Sequence, residues 1–220
     1  MTKYSFISPH FDDAILSCGA MMVKEDNTEI ITVFSGAPIN INITEYDKKC
    51  GFKSSFEAMN ERALENNEAI KTIGIKENNN LGYYDGQYYV DREKDYKNIY
   101  NDLNNALLDS DVVVAPVGIL HEDHKIVRDI IIDLYTKTNQ KWELWFYEEM
   151  PYRIVYPIEA QLSLNYLSVI FDLRLITTNL FDDSYKLKLE AIKKYKSQYN
   201  TGDIVENNLI SAERFWKVLW

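Results

Sequence analysis

Asp111-Val112-Val113-Val114-Ala115-Pro116-Val117 is the stretch on which the fold turns. After Asp111 no polar side chain interrupts it. A strand that is apolar on both alternating faces has to be covered on both, so it belongs in the middle of a sheet with helices above and below. The run leads straight into His121-Glu122-Asp123-His124. Beyond that cluster Ile126, Val127, Ile130, Ile131 and Leu134 recur at helical spacing, and residues 92–108 suggest a helix on the upstream side.

The N-terminal third repeats the pattern. Tyr4-Ser5-Phe6-Ile7 reads as a short buried strand stopped by Pro9, residues 13–25 suit a helix, and Ile30-Ile31-Thr32-Val33-Phe34 makes a β-branched strand. A loop then runs to about residue 53, and Ser54 or Ser55 caps a helix that ends near Gly74. The polar run 76–80 leads into turns at Leu81-Gly82-Tyr83-Tyr84-Asp85-Gly86, and residues 142–147 form the next strand. The last third is less regular: a strand near 166–178, a helix over 183–199, and an amphipathic piece ending in Phe215, Trp216 and Trp220. This is an α/β chain with a mostly parallel sheet sandwiched by helices and an irregular C-terminal third. With 220 residues and 46% hydrophobic content, one domain over 1–220 is expected.

The balance of 24 basic against 34 acidic residues gives a net charge of -10, which repels phosphate backbones and anionic lipid, so a nucleic-acid partner is not expected. The opening residues lack the apolar core of a secretory signal, and no apolar run approaches the roughly 18 residues of a membrane span. A cytoplasmic protein without a transmembrane segment is the expectation. Cys18 and Cys50 have neither metal-type spacing nor the number to form a disulfide framework.

All three histidines fall in two carboxylate-rich clusters, Pro9-His10-Phe11-Asp12-Asp13 and His121-Glu122-Asp123-His124. Each sits at the carboxyl end of an expected strand, where parallel α/β sheets form their ligand crevices. Placing the first strand beside the 111–117 strand would bring His10, Asp13 and His124 together as three ligands of one divalent ion, with a fourth position left open. Asp12 is then free to take a proton from water activated by the ion. His121 is suited to stabilise charge on a substrate oxygen or to protonate a leaving group, with Asp123 or another carboxylate holding it charged. Taken singly, a His beside an Asp at a helix start is more often a cap or surface pair, and acids at a helix N-terminus follow from the dipole alone. Two such clusters that exhaust the histidine supply outweigh that reading.

These residues resemble the zinc-dependent de-N-acetylases of the PIG-L/LmbE-like group. Ser8-Pro9-His10-Phe11-Asp12-Asp13-Ala14 is similar to the family's His-Pro-Asp-Asp signature, and His121-Glu122-Asp123-His124 to its His-x-Asp-His signature after a valine-rich strand. Arg62-x-x-Glu65-x-x-x-Ala69 and Leu81 through Gly86 resemble the helix and loop bordering the sugar pocket, and Lys188 through Ser197-Gln198 a C-terminal helix. The resemblance implies a Rossmann-like sheet, zinc (or another divalent ion such as iron(II)) on His10, Asp13 and His124, Asp12 as general base, and His121 as the electrophilic or acid group. It also implies that Arg62 and Asp85 contact the substrate. Phe11 stands where the family usually has proline and is expected to wall the pocket.

The implied reaction is hydrolysis of the acetamide of an N-acetylated amino sugar or its glycoside, giving acetate and a free amine. Arg62 with Glu65 reads equally well as an exposed helix pair, and Asp85 as a plain turn former. The tyrosines at 83, 84, 88 and 89 either stack on sugar rings or pack internally. Ser8, Ser35 and Ser197 find no spare histidine for a serine triad. A metal-dependent phosphoesterase and a non-catalytic sugar- or metal-binding module are the competing readings, and homo-oligomerisation is left open.

Overall fold

A computed structural model describes residues 1–39, 42–88, 91–138, 140–178, 182–199 and 211–219; Tyr89 and Trp220 lie outside them. In chain order the elements are β1 (Tyr4–Ser8), α1 (Asp13–Lys24), β2 (Thr28–Thr32), α2 (Glu45–Lys49), α3 (Ser55–Ile73), β3 (Glu77–Asn80), α4 (Arg92–Ala106), β4 (Val112–Pro116), α5 (Glu122–Lys137), β5 (Glu143–Tyr147), α6 (Tyr152–Val155), α7 (Pro157–Ile170), β6 (Asp172–Thr177), α8 (Asp183–Ile192), α9 (Lys196–Tyr199) and β7 (Arg214–Leu219).

Every residue of β4 is buried, and the strand is central in a sheet of order β3-β2-β1-β4-β5-β7-β6. The strands from β3 to β5 run parallel, and β1 lies directly against β4, with Tyr4 opposite Val112 and Phe6 opposite Val114. Alternation along the strands divides the core. Ile7, Val113, Ala115 and Phe146 face α4 and α5, whereas Phe6, Val112, Val114 and Tyr147 face α1, α3 and α8. The helices following β1 and β4 therefore leave to opposite sides, and the crevice at their carboxyl ends is the switch point of a Rossmann-like sheet.

Local signals place the helices. Ser54 caps α3 by accepting from the Glu57 N–H at 3.1 Å, and Gly74 ends it at φ 79°, a left-handed conformation that suits glycine. The antiparallel end of the sheet is locked onto α1 by a fully buried ion pair. Lys188 Nζ donates to Glu213 Oε1 at 2.8 Å, while Glu213 also accepts the N–H groups of Ala20 and Met21. The Lys188 stem crosses Gly19 so closely that a Cβ there would lie 2.9 Å from Lys188 Cγ.

Several expectations change. The polar run at 76–80 contains an edge strand, β3, whose residues are all exposed. Tyr166 lies in α7, not in a strand, and the strand begins only at Asp172. That helix carries apolar residues inward at Ala160 and Leu167 and outward at Ile158, Leu162 and Val169, which erases the 3.6-residue periodicity. The helix expected over 183–199 breaks after Ile192 and resumes as α9, and the terminal amphipathic piece is β7, inserted antiparallel between β5 and β6. No helix among the described residues is long and apolar enough to cross a membrane.

Candidate metal centre

His10 and Asp13 are brought together by the turn out of β1. The His10 N–H donates to Asp13 Oδ2 at 2.8 Å, and Ser8 Oγ accepts from the Ala14 N–H at 3.0 Å. Asp12 occupies the N-cap position of α1 but makes no side-chain capping bond, so its carboxylate is not consumed by the helix start. Across the crevice the chain leaves β4 through Gly118 at φ 84°, where a Cβ would meet Arg128 Nη1 at 2.9 Å. His121 then caps α5, its Nδ1 accepting the Asp123 N–H at 3.2 Å, and His124 lies one turn on, fully buried.

Three donor atoms converge. Asp13 Oδ2 lies 3.2 Å from His10 Nδ1 and 3.1 Å from His124 Nε2. Ligands about 2.0–2.1 Å from a tetrahedral zinc sit roughly 3.4 Å from one another, so the spacing suits such an ion. His124 Nε2 is buried and makes no aligned hydrogen bond, a costly arrangement unless a cation completes it. The remaining nitrogen of each imidazole rests on a buried carboxylate: His10 Nε2 is 3.1 Å from Asp123 Oδ2, and His124 Nδ1 is 3.3 Å from Glu149 Oε1. Such partners fix both tautomer and ring orientation of metal-binding histidines. His10, His121 and Asp123 also cluster, but Asp123 is already held by the Gly86 N–H at 2.8 Å and by Arg92. The residues at the first cluster fit a divalent ion.

The protonation equilibria of the metal-free pocket point the same way. Burial opposes a charged His10, yet Asp85, Asp123 and Asp13 hold it well above the ordinary value. Burial likewise opposes a charged His124, but Asp13 and Glu149 raise it to about 9. Asp13 falls well below the carboxylate range because the charges on His124 and His10 overcome its burial. Asp12 is pushed up to about 7 by burial and by the charge on Asp13. Two adjacent carboxylates are thus driven apart, Asp13 toward the ionised form and Asp12 toward the protonated one. His121 drops to about 4 through burial and the neighbouring charges on His10 and His124.

A cavity of about 690 Å³ opens over this cluster, with His10, Asp12, Asp13 and His121 among its lining and Phe11, Arg62, Asp85, Tyr152 and Gln198 around them. Arg62 is 5% exposed and donates to Asp47 Oδ1 at 2.8 Å, with the Tyr46 and Phe52 rings beside it. It is therefore not an exposed partner of Glu65, which instead accepts the N–H and hydroxyl of Ser197. Asp85 grips Gln87 through both carboxylate oxygens, and its Oδ2 lies 3.8 Å from His10 Nε2. Phe11 is buried against Met59 and Tyr88. Among the described residues, the tyrosines lining the cavity are Tyr46, Tyr152 and Tyr156. Tyr83 bonds to Asp102, and Tyr88 to Asp47 behind the wall.

The Asp123 carboxylate meets His10, Gly86 and Arg92, and only its backbone N–H meets His121, so it accepts no hydrogen bond from that ring. Glu149 escaped sequence reasoning altogether. Its signal was its place just beyond β5, where the carboxyl end of a parallel strand feeds the crevice.

A deacetylase (triple mutant) of the teicoplanin biosynthetic pathway superposes with a TM-score of 0.80 at 22% identity, covering 99% of this chain and 98% of that one. The A40926 pseudoaglycone deacetylase gives 0.80 at 21% identity over 99% and 97%. The N,N'-diacetylchitobiose deacetylase of Pyrococcus horikoshii gives 0.59 at 19% over 94% and 75%. At these identities the likeness establishes the fold. No curated protein matches the chain in sequence. Residues 5–135, which hold both histidine clusters, match the model of the GlcNAc-PI de-N-acetylase family, and the chain belongs to this PIG-L family.

Proposed function

We propose that the protein is a metal-dependent N-deacetylase acting on an N-acetylated amino sugar or its glycoside, with zinc on His10, Asp13 and His124. The observation that carries this reading is the convergence of those three donors beside Asp12, a buried carboxylate left out of helix capping. A bound zinc ion supplies Lewis acidity toward the acetamide carbonyl and makes water acidic enough to lose a proton near neutral pH. Asp12 accepts that proton and later returns it to the departing nitrogen. His121, whose Nδ1 is occupied by the Asp123 N–H, carries its proton on Nε2 and lines the cavity, so the neutral ring donates to the oxygen on which negative charge develops. Arg62 and Asp85 bound the space for the sugar, and Phe11 backs it. Two unpaired thiols, Cys18 and Cys50, suit a cytoplasmic location.

The phosphoesterase reading needs a second ion in most of its chemistry, and the two donor clusters share His10. Acetate release by the zinc-loaded protein across a panel of N-acetylated sugars, with a phosphodiester control, tests the assignment. Phosphodiester cleavage without acetate release would overturn it.

A further inference from the structure

Asp12 belongs to the start of α1, yet its side chain is held from the other end of the protein. Gln198 Nε2 donates to Asp12 Oδ2 at 3.0 Å, and both residues line the cavity. The backbone beneath Gln198 is pinned by a single buried carboxylate on α3: Ser197 donates its N–H and its hydroxyl to the two oxygens of Glu65 at 2.7 and 2.6 Å. Just before this, the fully buried Tyr195 places its hydroxyl 2.8 Å from Asn66 Oδ1 and 3.2 Å from the carbonyl of Phe11, the residue preceding Asp12. Residues 195, 197 and 198 therefore bracket the turn that carries the base. This bracket lies beyond residues 5–135, the part of the chain that matches the family model.

We infer that Gln198 is a positioning residue for Asp12, its amide fixing one carboxylate oxygen so that the other is presented to the reacting water, with Glu65 and Ser197 setting the amide in place. The inference rests on the deacetylase reading. A carboxylate without a side-chain partner turns freely about its last torsion, and a base must lie within hydrogen-bond reach of the proton it takes. An amide is suited to the task because it fixes an oxygen without adding a cation that would make Asp12 a weaker base. The double acceptance by Glu65 removes the freedom of the short segment from which Gln198 reaches.

The test uses the zinc-loaded full chain as wild type, Gln198→Met, Ser197→Ala and the double variant, assayed by acetate release. Methionine keeps the volume and removes the donor. Gln198→Met should lower kcat by about 10- to 100-fold, the scale of loss from a misplaced reacting group, with KM and zinc content unchanged. Ser197→Ala should lower kcat less, and the double variant should fall no further than Gln198→Met, because both act through one contact. A kcat within about twofold of wild type, additive losses, or a raised KM at constant kcat, the mark of a plain substrate contact, would each overturn the inference. If Gln198→Met does not fold, Ser197→Ala decides alone: a lower kcat at constant KM supports the bracket, and an unchanged kcat removes it. If the wild type releases no acetate from any sugar, the deacetylase reading falls. The bracket is then judged from crystal structures of both zinc-loaded proteins, where an Asp12 side chain that keeps its orientation in Gln198→Met refutes it.

Discussion

The chain up to α5 and the chain from β5 onward divide the work unevenly. The first region builds the parallel strands β1 to β4 and supplies the three proposed metal donors, Asp12 and His121. Among its described residues the second supplies none of the proposed donors; it contains the antiparallel strand β7 and carries α7 with Ile158 71% and Val169 87% exposed. It nevertheless touches the chemistry at two points: Glu149 orients His124, and Gln198 bonds to Asp12. One region presents the reactive groups, and the other removes their freedom to turn.

The largest expected effects separate ligand from base inside the first region. Asp12→Ala should reduce kcat by about 10²- to 10⁴-fold while zinc stays bound at full stoichiometry. His124→Ala should lose both activity and zinc. Metal analysis of the two purified variants checks this, and zinc retained by His124→Ala would break the ligand assignment.

The next prediction concerns the attachment of the second region. Glu213→Gln leaves Lys188 buried without its counter-charge, and breaking such a pair costs about 3–5 kcal/mol. Thermal or urea unfolding should show the loss. At temperatures where the variant is still folded, its zinc content should match wild type, because none of the donors comes from β7 or α8. A loss of zinc without a loss of stability would mean that the two regions are not separable in this way.

How far each region is legible from its residues follows the same line. The valine run of β4 and the confinement of three histidines to two strand ends are local patterns, so the central strand, the switch point and the convergence of His10, Asp13 and His124 are legible directly. Asp123 offers itself to His121 in the sequence, beside any other carboxylate, because the two are neighbours on one helix start. The partner that takes its carboxylate, His10, arrives from across the sheet through β1–β4 pairing. Arg62 was undecidable because its counter-ion, Asp47, sits in α2, within a stretch that reads as loop. β3 is Glu77-Asn78-Asn79-Asn80, an exposed edge held by backbone pairing with β2, and carries no apolar alternation to find. α7 fails for the opposite reason, carrying large apolar residues on its exposed side as well as its buried one.

Glu149→Gln sharpens the contribution of the second region to metal binding. The amide oxygen can still accept the Gly118 and Ile119 N–H groups, so the loop at the end of β4 is preserved while the charge facing His124 Nδ1 is lost. Removing such an outer partner typically weakens metal binding about 10- to 100-fold. Titration against a zinc chelator measures it, and activity should return at raised zinc. An unchanged affinity would show that the first region orients His124 unaided.

The remaining effect is one of pH, and its sign follows from the carboxylates around the imidazoles. In the metal-free pocket His124 is raised to about 9, so its proton contributes stability that is complete below the unfolded value near 6.5 and is lost as pH rises through 9. Zinc needs the unprotonated nitrogen and must displace that proton. Zinc affinity should therefore climb by about tenfold per pH unit from 7 to 9 for each proton displaced, while the metal-free protein becomes less stable over the same interval. Of the two carboxylates that raise His124, Asp13 is a proposed donor to the ion, whereas Glu149 meets only the far nitrogen of the ring. Glu149→Gln should accordingly lower the pH at which the zinc curve levels off, and a plateau at the same pH in both proteins would confine the control of His124 to Asp13.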